Sequence, residues 1–501
     1  MGFKSLFKNT WYVYCGKKEI DPHLILIDTV NRGDLGGNLY RILLELLKPA
    51  YQDYKICIAC EERVRERALR YLKGERNLRS LTGEEDFSEE RVFFVTPGSF
   101  RYFTMTAAAG VIFMDVSGTR RFLRRPGQIL VNTWHGTPLK RMGKDIPSGK
   151  HLIGNIQRNL FMCDYLCLPN LYTEEIFRDA YELRGLFQGT YVRAGYPRNQ
   201  VFFDKKRQEI VRDLLQKAEG GEKEGNRTRL QKAEGGEKEE SRTELHRHGG
   251  EEAGRNGRIY VYMPTWRGSG NGKQMSLEDK KAQADRLLGY LREMDALLEK
   301  DEVLYIRLHP FVGQMISCDA FLHIREFPAE LEPYEVLAAA DCLVTDYSSV
   351  FYDYANKEDG KIVLFLYGRE EYSGERDIYG KIGDLPFPAA ENVPELICRM
   401  REPKSCDDRS FRGTYCAFDG PSSAEKIVKL SLMRSGTGNR KLSRDEIRQA
   451  AKDGGFDVGW EDTGGEKILF YLGGLKKNGM TASFLNLMDT LLKSQAEIGR
   501  K

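Results

Sequence analysis

A chain of 501 residues with 41% hydrophobic residues is long enough for two or three domains at roughly 150 residues each. Its charged residues, 30% of the total, nearly cancel to a net +3, which excludes the strongly basic surface of a general nucleic-acid binder. No apolar run approaches the roughly 18–20 residues of a membrane span, and ten scattered cysteines without a signal-peptide pattern point to reduced thiols in the cytosol.

Residues 1–23 interleave Lys4, Lys8, Lys17 and Lys18 with Phe3, Phe7, Trp11 and Tyr12, the pattern of a packing element or of one that touches a membrane surface. LILIDTV (24–30) is a predicted strand; NRGDLGGN and a helix-like YRILLELLKPAY follow, then the strand YKICIAC. Cys57 and Cys60 lie in that apolar strand with no second Cys/His pair at zinc spacing, so they read as core residues. VFFVTP (92–97), GVIFMDV (110–116), QILVNTW (128–134) and YLCLPN (165–170) continue the series. Buried apolar strands separated by helices predict a parallel, doubly wound sheet over 24–194. Arg120, Arg121, Arg124 and Arg125 form a local basic cluster within it.

A second unit of the same texture is expected over 195–434. Its early part, about 205–257, is rich in Lys, Glu, Gly and Arg and contains a direct repeat, QKAEGGEKE at 216–224 and again at 231–239. Such composition cannot bury enough surface to offset ordering entropy, so a disordered insertion is expected there. RIYVYMPTW (258–266), an amphipathic helix at about 276–300, VLYIRLHP (303–310), EPYEVLAAA (332–340), DCLVTDYSS (341–349), a helix to about 357 and KIVLFLY (361–367) make the second βα series. From 435 to 501 a polar linker leads to KILFYLGGLKKNGMTASFLNLMDTLLKSQ (467–495). That partial βα unit reads either as the start of a truncated glycosyltransferase domain or as an element packing back onto the body.

Three motifs carry chemistry. In TWHGTPLKRMGKD (133–145), His135 ends a strand and enters a Gly-Thr-Pro turn, which exposes an imidazole where ligands of α/β sheets bind. In RLHP, Arg307 and His309 are two residues apart on one strand face, a cationic pair suited to a diphosphate. In VTDYSSVFYDYA (344–355), Ser348 or Ser349 would cap a helix whose N-terminus favours anions, and Asp353 lies one turn in. PTWR (264–267), GYPRNQVF (195–202, with Arg198) and DGPSSAEKIV (419–428) fit the same cleft.

In order and spacing these stretches resemble the CDP-glycerol glycerophosphotransferase family, the teichoic-acid primases and polymerases, from about residue 24 to 430. The resemblance implies a GT-B-like α/β fold, two doubly wound Rossmann-type domains facing a cleft, with an acceptor and membrane-side domain first and a CDP-donor domain second. It implies His135 as candidate general base and His309 as a second essential histidine. Gly136, Thr137, Pro138 and Leu139 would line the donor site, and Arg198, Thr265, Trp266, Arg307, Ser348, Ser349 and Asp353 would complete it. The expected reaction moves glycerol phosphate from a CDP-alcohol donor to a lipid-linked polyol-phosphate acceptor, releasing CMP, at the cytoplasmic face of the cell membrane. No cofactor, obligatory metal or nucleic acid is expected. The readings weighed against it are a ribitol-phosphate or other polyol-phosphate transferase, a nucleotide-sugar GT-B enzyme, and a non-catalytic polymer-binding paralogue.

Overall fold

The computed structural model describes residues 3–29, 34–146, 153–217, 257–265, 276–308, 315–367, 378–433 and 441–462. The first seven strands are β1 (Asp21–Asp28), β2 (Lys55–Ala59), β3 (Val92–Val95), β4 (Ala109–Met114), β5 (Ile129–Asn132), β6 (Tyr165–Cys167) and β7 (Thr190–Arg193). They pair in parallel in the order β7-β6-β5-β4-β1-β2-β3, so the winding reverses between β1 and β4. The apolar runs are continuous because both faces of the sheet are covered. Ile25, Ile27, Ile56, Ile58, Val111 and Phe113 enter one core, and the alternate residues Leu24, Leu26, Cys57, Ile112 and Met114 enter the other.

The second sheet holds β8 (Arg258–Met263), β9 (Glu302–Ile306), β10 (Ile324–Glu326), β11 (Cys342–Thr345), β12 (Lys361–Phe365) and β13 (Ala389–Ala390). Their order is β10-β9-β8-β11-β12-β13, all parallel, with the reversal between β8 and β11. Two doubly wound sheets meet the GT-B expectation. Ligands of such sheets bind beyond the strands' carboxyl ends at these reversals.

α1 (Phe3–Cys15) packs on α4 (Phe100–Ala108). Trp11 Nε1 donates to Phe100 O (3.2 Å) and Thr104 Oγ1 (3.1 Å), and Tyr12 OH donates to Leu123 O (2.9 Å). Much of the arginine cluster is structural as well. Arg121 Nε donates to Asn9 Oδ1 (2.8 Å), Arg125 Nη2 to Lys18 O (2.6 Å), and Arg124 Nη1 to Gln128 O (3.3 Å). Among the described residues no helix is long and apolar enough to cross a membrane.

The charged stretch expected to begin at 205 starts later. Residues 205–217 are helical, because Val211 and Leu215 reach the second core while Ile210 and Leu214 pack against it. All of its repeat beyond the first two residues lies outside the described residues. At the other end, helix Ser423–Leu432 returns to the first domain. Its Ile427, Val428 and Leu430 join the core formed with Leu39 and Leu43 of α2 (Asn38–Leu46). Part of the expected polar linker is also folded. Helix Arg444–Asp453 places Ile447 and Ala451 in that core, and β14 (Asp457–Gly459) adds an antiparallel edge to β7. The 467–495 unit lies outside the described residues.

The domains touch closely on one side. Arg207, from helix 205–217, donates from Nε to both oxygens of Glu335 (3.0 Å each) and also pairs with Glu75 of α3 (Glu62–Thr82). Arg41 of α2 pairs with Glu335 too. All four groups are buried, and the two guanidinium groups hold Glu335 down to about 2 despite its burial. Beside them, a Cβ added at Gly74 would lie 2.0 Å from Glu330 O, so a side chain has no room at that crossing. Glu332 Oε1 accepts from Gly37 N (2.9 Å), placing a second-domain carboxylate at the start of α2.

Candidate active site

β5 ends at Asn132, and the chain then turns sharply. Trp134 is left-handed (φ 51°), a conformation of roughly 1–3 kcal/mol strain for a residue with a Cβ. Asn132 Oδ1 accepts from Trp134 N (2.8 Å), and Trp134 O accepts from Asn38 Nδ2 (3.0 Å) and Thr133 Oγ1 (3.1 Å). The turn delivers His135 to the surface while Trp134, Gly136, Thr137, Pro138 and Leu139 are buried. The imidazole stacks on the Trp134 ring (centroids 4.4 Å apart), and its Nδ1 lies 2.7 Å from Asp115 O. A carbonyl only accepts, so Nδ1 carries the proton and the lone pair of the neutral ring is on Nε2.

The second domain meets this turn directly. A Cβ added at Gly136 would sit 3.3 Å from Ser349 Oγ and 3.4 Å from Arg198 Nη2. Ser348 Oγ accepts from Val350 N (3.4 Å), whereas Ser349 makes no side-chain cap. The helix they precede, Val350–Tyr354, has only five residues. Its dipole is therefore smaller than the sequence suggested, and hydroxyls and backbone N–H groups carry more of any anion binding.

Arg198 and Asp353 are not open ligands. Arg198 Nη1 donates to His135 O (2.8 Å) and Nη2 to Asp353 Oδ2 (2.7 Å), with the guanidinium over the rings of Tyr196 (5.0 Å) and Tyr334 (5.2 Å). Tyr334 OH donates to the same carboxylate oxygen (2.9 Å), and burial holds that phenol well above its usual pKa. Arg198 and Asp353 are only 3% and 2% exposed. They form a buried brace under the His135 turn.

Thr137 Oγ1 accepts from Asn170 Nδ2 (3.2 Å), and Pro138 O accepts from Tyr172 OH (3.3 Å). Leu139 enters the second domain's core beside Val201 and Tyr347, while Leu139 O accepts from Tyr379 N (2.8 Å). Tyr379 OH donates in turn to Asp145 Oδ2 (2.6 Å), tying the far end of the motif across the domains. Thr265 N donates to Asp346 Oδ1 (2.8 Å), which joins the loops after β8 and β11 at their reversal. Arg307, just past the end of β9, is partly exposed, with Nη2 3.8 Å from Asp34 Oδ2 of the first domain. His309 and Trp266 lie outside the described residues.

The geometry thus brings His135, Gly136, Ser349, Arg198 and Asp353 together and leaves Arg307 on the Asp34 side. Among the residues here that were not singled out from the sequence, Asn38, Asp115, Tyr334 and Asp346 hold the turn, its brace and the loops at the reversal. Asn38 alone had a visible signal, as the polar residue closing the glycine turn of NRGDLGGN.

The family model for CDP-Glycerol:Poly(glycerophosphate) glycerophosphotransferase matches residues 12–222 and 230–432. The chain belongs to this family. It is 26% identical over 318 residues to the teichoic acid poly(glycerol phosphate) polymerase of Bacillus spizizenii, covering 60% of this chain and 68% of that protein. Against the enzyme of that description from Bacillus subtilis it is 26% identical over 316 residues, 60% of this chain but only 36% of that longer protein. Among solved structures it resembles the wall teichoic acid polymerase TagF, in a histidine variant soaked with CDPG. The TM-score is 0.60 at 19% identity, over 85% of this chain and 96% of that one, a likeness of fold. The family member described here therefore has a GT-B-like architecture in which both domains contribute to the His135 turn.

Proposed function

We propose that the protein transfers glycerol phosphate from CDP-glycerol to the end of a lipid-linked teichoic-acid-type polymer. The observation that carries this reading is the meeting of the His135 turn with Ser349 and Arg198 where the two domains touch, in a chain of this family. The acceptor hydroxyl attacks the phosphorus that bears the glycerol. As its oxygen bonds to phosphorus, its proton passes to Nε2 of His135, and the phosphoanhydride bond to CMP breaks so that CMP leaves. A neutral imidazole is a proton acceptor suited to that exchange.

Ser348, Ser349 and Arg307 are assigned to the donor's diphosphate, where fixed donors stabilise charge as it shifts toward CMP. His309 takes the second histidine role by its motif, and Trp266 and Thr265 the pocket wall. Arg198 and Asp353 act beneath the turn. The reaction is assigned no cofactor and no obligatory metal; undiminished activity in EDTA tests that part.

Work at a membrane surface belongs to the same proposal. Exposed Val13, Tyr14 and Phe100, with Lys17 and Lys18 close by in sequence, support it. Binding to anionic vesicles in a sedimentation assay is the expected result, and no binding would remove it.

The central test is CMP release from CDP-glycerol with a lipid-linked acceptor analogue, with His135→Ala beside the wild type. Release that is lost in a folded variant supports the reading. A folded wild type that releases nothing overturns it, and a preference for CDP-ribitol transfers it to that donor.

A further inference from the structure

We propose that Asn38 is a positioning residue for the transfer, holding the backbone on both sides of the domain junction so that His135 meets the acceptor hydroxyl. This deepens the reading of His135 as the base and rests on it. Asn38 opens α2, immediately after the Gly36-Gly37 pair, and is fully buried. Its side chain bridges two main chains that are 64 residues apart in sequence, at Trp134 and Arg198. Nδ2 donates to Trp134 O (3.0 Å), and Oδ1 accepts from Arg198 N (3.2 Å).

These partners also fix the orientation of the amide. A backbone carbonyl can only accept and a backbone N–H can only donate, so oxygen faces Arg198 and nitrogen faces Trp134. A carboxylate, a hydrocarbon or a hydroxyl in a smaller volume cannot meet both demands in one place. With Arg198 Nη1 on His135 O (2.8 Å), the two successive carbonyls of Trp134 and His135 are both taken by side chains, and Asn38 anchors the arginine as well as the tryptophan. Asn132 Oδ1 holds Trp134 N (2.8 Å), so the left-handed residue is gripped at both its backbone polar groups. The imidazole is oriented from that residue, by the stack on its ring and by Asp115 O. Loosening Trp134 therefore moves the base without touching it.

A displacement of about 1 Å at reacting groups lowers rate by about 100-fold. The test compares wild type, Asn38→Ala, Asn38→Asp and His135→Ala of the whole 501-residue chain, by CMP release from CDP-glycerol with an acceptor analogue. Circular dichroism checks each for folding. Expected for Asn38→Ala is a fall in kcat of about 100-fold with KM for CDP-glycerol changed by less than about 3-fold. Asn38→Asp, although isosteric, turns an oxygen toward Trp134 O and is expected to be no better than the alanine variant. A residue that only filled space would reverse that ranking. If Asn38→Ala does not fold, Asn38→Ser carries the same expectation. Asn38→Asp with kcat within about 3-fold of wild type, or a loss that falls on KM, overturns the positioning role. An active His135→Ala overturns the base assignment and this inference with it. An inactive His135→Ala beside fully active Asn38 variants overturns this inference alone.

Discussion

Replacing Arg198 by methionine keeps most of the side chain's volume and removes its charge. The loss should be large, because the guanidinium is 3% exposed and serves His135 O, Asp353 and two tyrosine rings at once. Asp353 would keep only the Tyr334 hydroxyl, as a buried carboxylate without its cation. Removing one partner of a buried pair destabilises by about 3–5 kcal/mol. At about 2–4 °C per kcal/mol for a domain near 200 residues, the melting transition of the variant should fall by roughly 6–20 °C. Scanning calorimetry of wild type, Arg198→Met, Asp353→Asn and the double variant closes a cycle. Since Asp353→Asn removes the stranded charge, the double variant should be at least about 1 kcal/mol more stable than the two single losses added together. A single Arg198→Met within about 2 °C of wild type would refute the brace, since that is less than about 1 kcal/mol. So would strict additivity in the cycle.

Gly136→Ala should reduce CMP release by about 10-fold or more and lower stability by about 1–3 kcal/mol, because φ 155° at Gly136 strains any residue with a Cβ and the new methyl group presses on Ser349 Oγ and Arg198 Nη2. Unchanged release would separate Ser349 from the site. Gly74→Ala should lower the melting transition, with a loss of about 1–3 kcal/mol, because backbone must yield where a Cβ would stand 2.0 Å from Glu330 O. An unchanged transition would show that the crossing is looser. Asp419 accepts from Tyr196 N (2.7 Å), Asn199 Nδ2 (2.9 Å) and Asn356 Nδ2 (2.9 Å), yet desolvation pushes its carboxyl up to about 7. A raised carboxyl contributes stability that is fully present below its unfolded value, near pKa 3.9, and is lost as pH rises through 7. The melting temperature followed from pH 5 to 8 should therefore carry a declining component that Asp419→Asn lacks; parallel curves for the two proteins would contradict the shift.

The apolar runs made most of both sheets legible, because parallel strands buried on two faces leave no room for polar alternation. β7, β10, β13 and β14 were missed: they have two to four residues, and β7 and β14 carry Arg193 and Asp457, which pair with each other across the sheet edge (an Arg193 Nη1 to Asp457 Oδ2 contact of 2.5 Å). Helix 205–217 was hidden by its charges, although Val211 and Leu215 decide its packing. At the site, the motifs pointed to the turn and to the serines, and Ser349 Oγ stands 3.3 Å from a Cβ built on Gly136. They could not reveal that Arg198 and Asp353 neutralise each other under cover, because charge in a sequence carries no burial. Asn38 acts on the carbonyl of Trp134, 96 positions away, and Asp115 acts through its own carbonyl on His135, 20 positions away; such contacts have no residue-type signature.

The return of helix Ser423–Leu432 and residues 441–462 to the first sheet makes the second domain an insertion in the first. Gly195 and Asp419 lie where the outgoing and returning chains run side by side, with Phe418 O only 2.5 Å from a Cβ built on Gly195. During vectorial synthesis, the core of the first sheet must wait for Ile427, Val428, Leu430, Ile447 and Ala451, which are made after the second domain. At about 5–20 residues per second, the roughly 230 residues between β7 and Ser423 occupy the ribosome for roughly 10–50 s. For that interval the part of the first core that these residues cover is left open to water. A fragment ending near 194 would remain in that state, whereas a spliced chain joining 194 to 421 would supply the missing helices at once.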